Sequence, residues 1–242
     1  GTPTDLSSFE VAPIVWYRNG DSTKALYFNS IWQIPNEMKV GNFSQYSFDF
    51  DGVDDYVDCG DSDVFSFTDG AGADTSFSIS MWVYPTGNGG FPAMFSKSTE
   101  YTVYHWSAGM DFTLFEGANR IGRRYGSALT LNTWQHLCFT YDGSEASSGM
   151  IVYLNGTPLT TTTNDSGAYA GMTNTVNPFI IGDYNFGDPF EGNIDDVAIW
   201  KSRELSAGEV TAIYNSGVPT DLSAESNLVA YYRMGENSVF SD

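Results

Sequence analysis

The run from Phe190 to Trp200, Phe-Glu-Gly-Asn-Ile-Asp-Asp-Val-Ala-Ile-Trp, narrows the choice of folds more than any other stretch. Its second half alternates with period two. Ile194, Asp196, Ala198 and Trp200 fall on one face of a strand, and Asp195, Val197 and Ile199 on the other. Both faces are mostly apolar, so the strand needs cover on both sides, and the middle of a sandwich supplies it. The paired aspartates at its entrance are a natural place for a cation. Aromatic residues make up 16% of the 242 residues, a bias that suits strands better than helices.

Charge narrows the partners. Against 30 acids stand 10 bases, a formal net charge of -20. Such a chain repels phosphate backbones and anionic lipid heads, so nucleic-acid binding and electrostatic membrane association are not expected. Cations, neutral sugars and other proteins remain. No stretch has the roughly 18 to 20 consecutive apolar residues of a membrane span, and any export signal is expected to lie elsewhere. Cys59 and Cys138 are too few for a disulfide scaffold; they read as buried free thiols, with a single bridge as the alternative.

The chain contains a near-repeat. Pro-Thr-Asp-Leu-Ser occupies residues 3–7 and again 219–223, an offset of 219 − 3 = 216. Each copy precedes an apolar strand ending in Tyr-Arg-x-Gly, at residues 17–20 and 232–235, an offset of 232 − 17 = 215. Two motifs in one order at nearly one spacing imply a unit of a tandem array. Residues 1–217 form the unit, and 218–242 are a linker and strand that start the next. The alternative is that the two strands belong to one sandwich and resemble each other because they pair.

Between these ends the strands follow at sandwich spacing. Residues 21–45 read as a loop-rich excursion. A strand at 46–50, a turn at Asp51-Gly52 and a strand at 54–59 read as a hairpin. Residues 76–84 place Phe77, Ile79, Met81 and Val83 on one face and Trp82 and Tyr84 on the other. Further strands are expected at 93–96, 101–106, 111–116, 120–125, 134–141, 151–154 and 179–182, with a hairpin at Asn155-Gly156 and a short strand within 160–178. One helix follows: Ser206-Ala-Gly-Glu209 is a capping box, Asn215-Ser-Gly217 a stop, and Pro219 forbids continuation.

Taken in order, these motifs resemble the laminin G-like, concanavalin A-like jelly roll. The resemblance is carried by Phe48 to Val57, Phe77 to Pro85, Trp134 to Gly143, Val152 to Gly156, Phe190 to Trp200 and the helix at 205–217. It implies an all-β fold, a two-sheet antiparallel jelly-roll sandwich of about six or seven strands per sheet, with one short C-terminal surface helix and a core over 46–217. The fold alone fixes no function. Tandem copies with such links also resemble virion and cell-surface proteins, which implies an extracellular, cell-surface or virus-particle location.

The resemblance further implies a structural calcium near the closing strand and the opening motif. Asp51, Asp54, Asp55, Asp195 and Asp196 supply carboxylates and Gly52 a carbonyl, donors of the kind calcium takes; the same acids also serve as ordinary turn formers. Asp183, Tyr184, Asn185, Phe186 and Asp188 form an acidic, aromatic loop suited to a ligand. With Tyr101, Tyr104 and Trp106 it offers the aromatic platform and fixed polar groups that a pyranose needs; aromatics this dense also serve as core. Catalysis is not expected. The Glu-x-Asp-x-x-Glu strand of the related glucanases is absent, and neither His105 nor His136 has a partner at catalytic or metal-ligand spacing. Arg120, Arg123 and Arg124 are the only basic cluster. The expectation is a non-catalytic structural or adhesive module contacting other copies in an array, with the strand near residue 228 adding to a neighbour's sheet as well as, or in place of, its own. The alternative is a calcium-dependent carbohydrate-binding module.

Overall fold

The computed structural model describes residues 14–17, 26–28, 47–184 and 187–234. The first repeat motif at 3–7 and most of the loop-rich excursion lie outside the described residues. The strands, in chain order, are β1 (Ile14–Tyr17), β2 (Leu26–Phe28), β3 (Phe48–Asp51), β4 (Tyr56–Asp58), β5 (Phe77–Pro85), β6 (Ala93–Lys97), β7 (Tyr101–Trp106) and β8 (Gly109–Glu116). They continue with β9 (Asn119–Tyr125), β10 (Gln135–Tyr141), β11 (Met150–Leu154), β12 (Thr157–Pro158), β13 (Thr162–Thr163), β14 (Phe179–Ile181), β15 (Glu191–Lys201) and β16 (Leu228–Tyr232). One helix, α1 (Ala207–Tyr214), separates the last two.

The strands form two antiparallel sheets. One has nine strands in the order β13-β9-β8-β7-β6-β14-β4-β1-β2; the other has seven, β12-β11-β10-β5-β15-β16 with β3 also on β15. The second matches the six or seven strands expected, and the first is wider by two. The main core lies between them, where Phe50, Phe77, Ile79, Phe95, Tyr101, Phe112, Phe139 and Phe179 are all essentially inaccessible. Its aromatic rings stack and abut: Phe67 and Phe77 lie 3.9 Å apart, centre to centre, and nearly parallel. Residues with this much apolar area, removed from water at about 25 cal/mol per Å2, dominate the stability of such a sandwich.

The closing strand is central, as its two apolar faces require. It pairs with β5 along its length, with β3 beside its first half and β16 beside its second. One detail departs from simple alternation. A β-bulge falls at Asp195 and Asp196, where Asp196 has φ 48, and the extra residue resets which side faces inward. Ile194 therefore joins Val197 and Ile199 in the main core, while Ala198 and Trp200 face a second cluster under α1 with Val210 and Ile213.

The acidic turn also differs from the expected hairpin. β3 pairs with β15 in one sheet and β4 with β14 and β1 in the other, so Gly52 to Asp55 carry the chain across the sandwich. The crossing buries both Phe50 and Val57 in the one core, which a hairpin on one sheet would also permit but with both strands on the same side. At Asn155-Gly156 the hairpin forms, joining β11 to β12 with both residues at positive φ. The helix start is as the sequence specifies: Ser206 Oγ accepts from the Glu209 amide, and the Glu209 carboxylate accepts from the Ser206 amide.

β16 takes a place in its own sheet. It pairs with β15 from Val197–Tyr232 to Trp200–Leu228, and Ala230, Tyr232 and Met234 enter the main core. β1 pairs within the other sheet, so the two strands of similar sequence are not neighbours. Both cysteines are free and buried. A group that hydropathy hides is Lys97, fully buried, whose ammonium meets Glu100 at 3.0 Å and Asp61 at 2.9 Å and donates to the Thr175 carbonyl. A buried charge needs such partners, and here they pin the 173–178 loop to β6.

Candidate functional site

β7 divides its side chains by alternation. Tyr101, Val103 and His105 point into the core, while Tyr104 and Trp106 lie on the outer face of the nine-stranded sheet, each half-buried. Tyr101 is thus a core residue, its hydroxyl donating to the Phe65 carbonyl at 2.8 Å, and no part of a surface platform. On the outer face the Tyr104 ring meets Tyr184 at 5.3 Å and the Trp106 ring meets Phe91 at 5.6 Å. Phe91 is 59% exposed, an unusual state for a large apolar ring. These four rings form a shelf, built from β7, the glycine-rich loop before β6, and the loop after β14.

A fixed polar pair borders the shelf. The Arg124 guanidinium lies 5.5 Å from the Trp106 ring centre and donates twice to Asp111, at 2.8 and 2.6 Å. Asn164 Nδ2 donates to the same carboxylate at 3.0 Å. Hydrogen bonding to Asp111 raises the Arg124 pKa, so the pair is a permanent dipole beside the ring. Phe91 and Asp111 carry no sequence signal of their own. Asp111 meets the shelf because β7 and β8 pair Tyr104 with Asp111, a register visible only in three dimensions.

The 183–188 loop contributes Tyr184 directly and Asp183 as a brace. Asp183 is 2% exposed, and its Oδ1 accepts from the amides of Tyr184, Gly187 and Asp188 at 2.6, 3.3 and 2.9 Å. Burial raises its pKa, with those three amides opposing. Asp188 ties the same loop to β6, its carbonyl accepting from the Ala93 amide. The Asp183 carboxylate is taken up by the loop's own amides, while the Asp188 carboxylate is half-buried. Asn185 and Phe186 lie outside the described residues.

The acids expected around a cation separate into two places. One oxygen each of Asp51, Asp54 and Asp55 lie within 4.8 Å of one another at the crossover. The Asp51 amide donates to Asp55 Oδ2, and Asp51 Oδ1 accepts from Val53 and Asp54, so the loop holds itself in shape. Gly52 has φ +74, and a Cβ there would lie 2.9 Å from the Glu191 side chain, so glycine is required on both counts. Asp195 and Asp196 sit elsewhere. β3 pairs Asp51 with Glu191 and Phe48 with Ile194, which leaves the two aspartates beyond the opposite end of that ladder. Both are buried at the bulge, where Asp195 Oδ1 accepts from the Asp196 and Met234 amides and Asp196 Oδ1 from the Tyr231 hydroxyl, with Arg233 at 3.6 Å. They fasten β16 to β15. The crossover trio fits the hard-oxygen chemistry of calcium as a partial set, with the remaining ligands of a six- to eight-coordinate ion left to carbonyls or water.

His105 and His136 are packing residues. The His105 ring lies 5.4 Å from Phe190, and burial lowers its pKa to about 4; His136, between Trp82 and Tyr214, is lowered by burial to about 3. Among the described residues no helix is long and apolar enough to cross a membrane.

Known structures share this architecture. A protein from Bacteroides ovatus described as carbohydrate-binding superposes with TM-score 0.56 at 17% identity, over 81% of this chain and 54% of its own. The receptor-binding domain of botulinum neurotoxin type G gives 0.52 at 15% identity, over 85% and 51%. The CBM40 module of a Ruminococcus gnavus sialidase, bound to α2,3-sialyllactose, gives 0.50 at 13% identity, over 70% and 97%. The chain spans about half the length of the first two. A search of curated proteins returned no match. Residues 51–211, from the crossover acids to α1, match Laminin_G_3, and the chain belongs to that family of the concanavalin A-like lectin/glucanases superfamily.

Proposed function

We propose that this domain is a non-catalytic carbohydrate-binding module acting outside the cell or on a particle surface. The observation that carries the reading is the outer-face shelf of Phe91, Tyr104, Trp106 and Tyr184 beside the fixed Arg124–Asp111 pair. A pyranose has an apolar face that stacks on such rings and a rim of hydroxyls that a rigid donor–acceptor pair can orient. The crossover acids are proposed to hold calcium as a structural ion that fixes the loop between the sheets. The experiment is a glycan array probed with the chain in calcium and again in chelator, in parallel with Trp106→Ala. The reading expects a glycan signal that Trp106→Ala removes; an array blank in both buffers ends it.

A second reading, a structural or adhesive unit contacting other copies in an array, is favoured by a separate observation. The 3–7 and 219–223 segments are identical, and β16 is the edge of its sheet, with pairing on one side among the described residues. Sedimentation of the full chain across a hundredfold concentration range tests it, and a monomer throughout counts against it.

A further inference from the structure

We infer that a groove at the β9–β13 edge of the sandwich binds the carboxylate of an acidic sugar. The inference deepens the glycan reading and rests on it for the sugar. The groove measures about 370 Å3, and Arg120 and Arg123 both line it. Within a chain of net charge -20 their surroundings are unusual. Lys97, Arg124, Arg203 and Arg233 each stand within 4 Å of a carboxylate, whereas among the described residues Arg120, Arg123 and Lys201 do not, and Lys201 gives its ammonium to the Asp63 carbonyl.

Both guanidinium groups are nonetheless held in position. Arg123 Nε donates to the Ser147 carbonyl at 2.7 Å, and Arg120 Nε to the Asn164 carbonyl at 3.2 Å. Among the described residues the terminal nitrogens of Arg123 have no hydrogen-bond partner. Arg120 Nη2 has only a long contact to Asn164 Oδ1, at 3.4 Å. An arginine fixed through Nε and open at its Nη pair presents the planar fork that matches a carboxylate.

The walls of the groove are braced. Asp165, which faces it, is spent on its own frame: Oδ1 accepts from the Gly122 amide and Oδ2 from the Ser147 hydroxyl. The Tyr169 wall is fastened through its hydroxyl to Asp74 at 2.6 Å, and the next amide, Ala170, donates to Glu116. Glu145 is the remaining acid on the lining, and it opposes an anion. The overall negative charge is spread over the whole surface and screened beyond about 8 Å at physiological salt. On the lining itself the two arginines face two carboxylates, Glu145 and the hydrogen-bonded Asp165, so recognition rests on the open guanidinium forks rather than on an excess of positive charge. The groove also connects to the shelf: Arg120 holds Asn164, Asn164 holds Asp111, and Asp111 holds Arg124 over Trp106.

The test is an NMR titration of the full 15N-labelled chain with glucuronate, glucose and acetate, following the Gly122, Ser147 and Gly167 amides. Glucuronate is expected to shift these signals saturably, with glucose and acetate at least tenfold weaker. Arg123→Gln is expected to weaken glucuronate at least tenfold, and Glu145→Gln to strengthen it severalfold, because removing a like charge helps an anion. Ala168→Glu, on the exposed lining, leaves both arginines in place and is expected to weaken it as well, which guards against misfolding of the arginine variant. No shift, equal shifts with glucose, equal shifts with acetate, or a glucuronate response indifferent to Arg123→Gln and Ala168→Glu would each overturn the inference. Its failure is separable from that of the shelf. A blank glycan array with a positive glucuronate titration removes the shelf and keeps the groove; an array signal lost in Trp106→Ala with a blank titration does the reverse.

Discussion

Within the one strand β7, Tyr101 and His105 face the core while Tyr104 and Trp106 face out, and the two sets have opposite energetic roles. The inward residues are held by everything around them: Tyr101 touches the rings of Phe67, Phe77, Phe95 and Phe179 and bonds a backbone carbonyl. The outward ones meet one ring each across the shelf, Trp106 also lies under Arg124, and both remain partly exposed to water. Residue type is the same on both faces, so aromatic content by itself says nothing about which ring binds and which supports. Alternation decides it.

The largest expected effect lies inward. Tyr101→Ala removes a fully buried ring and leaves the Phe65 carbonyl without its donor, at a cost of about 3–5 kcal/mol. Urea denaturation checks it, and a loss under about 1 kcal/mol would show that the two faces are not as different as their burial indicates.

Next comes His105, inward but ionisable. Burial lowers its pKa from 6.5 to about 4, so the unfolded chain binds a proton that the folded chain refuses. Stability is therefore full above about pH 6.5 and falls as pH drops toward 4. By pH 5 the loss is about 2 kcal/mol, from 1.36 kcal/mol per unit. His136 acts in the same direction, while Asp58, Asp183, Asp188 and Glu204, raised by burial, bind protons more readily when folded and offset part of the loss at the acid end. His105→Leu isolates the contribution: its stability between pH 7 and pH 5 should fall by about 2 kcal/mol less than that of the parent chain. Equal slopes would mean that His105 takes a proton in the folded core.

The acids repeat the contrast on a smaller scale. Asp195 and Asp196 are bound to β16, whereas Asp51, Asp54 and Asp55 face one another at the crossover. If the trio holds calcium, the ion at ten times its Kd raises stability by about 1.4 kcal/mol, and Asp54→Asn removes that gain while changing stability in chelator by less than about 0.5 kcal/mol. A melting temperature indifferent to calcium would reduce the trio to turn chemistry.

Legibility in the sequence followed the range of the interaction. Period-two patterning, the capping box at Ser206 and the Asn155-Gly156 turn are local, and the strands, helix and hairpin they specify are where they were expected. What depends on pairing between distant strands was not legible. Asp51 and Asp195 were grouped because the resemblance implies a cation between the opening motif and the closing strand, yet the antiparallel β3–β15 register sets them at opposite ends. The bulge that moves Ile194 into the main core depends on β15 meeting β5 and β16 at once. Arg120 and Arg123 were visible as a basic cluster, but their lack of acid partners emerges only from the loops that cover them.

The smallest effect on stability is the one that most sharpens the comparison. Trp106 is half-buried on the outer face, its ring against Phe91 and under Arg124. Truncation to alanine leaves no cavity in the core and removes one exposed cation–π contact, worth about 0.5–1 kcal/mol, part of which water recovers around Arg124. Arg124 keeps its bidentate grip on Asp111, so the sheet face holds its shape. Binding is different, because a stacked pyranose would lose its largest apolar contact, and a change of 1.4 kcal/mol is tenfold in affinity. Trp106→Ala should therefore melt within a few degrees of the parent and bind glycan at least tenfold more weakly, measured by calorimetry on the best array ligand. A variant that melts much lower would make Trp106 a supporting residue like Tyr101, and one that binds unchanged would move the site off the shelf.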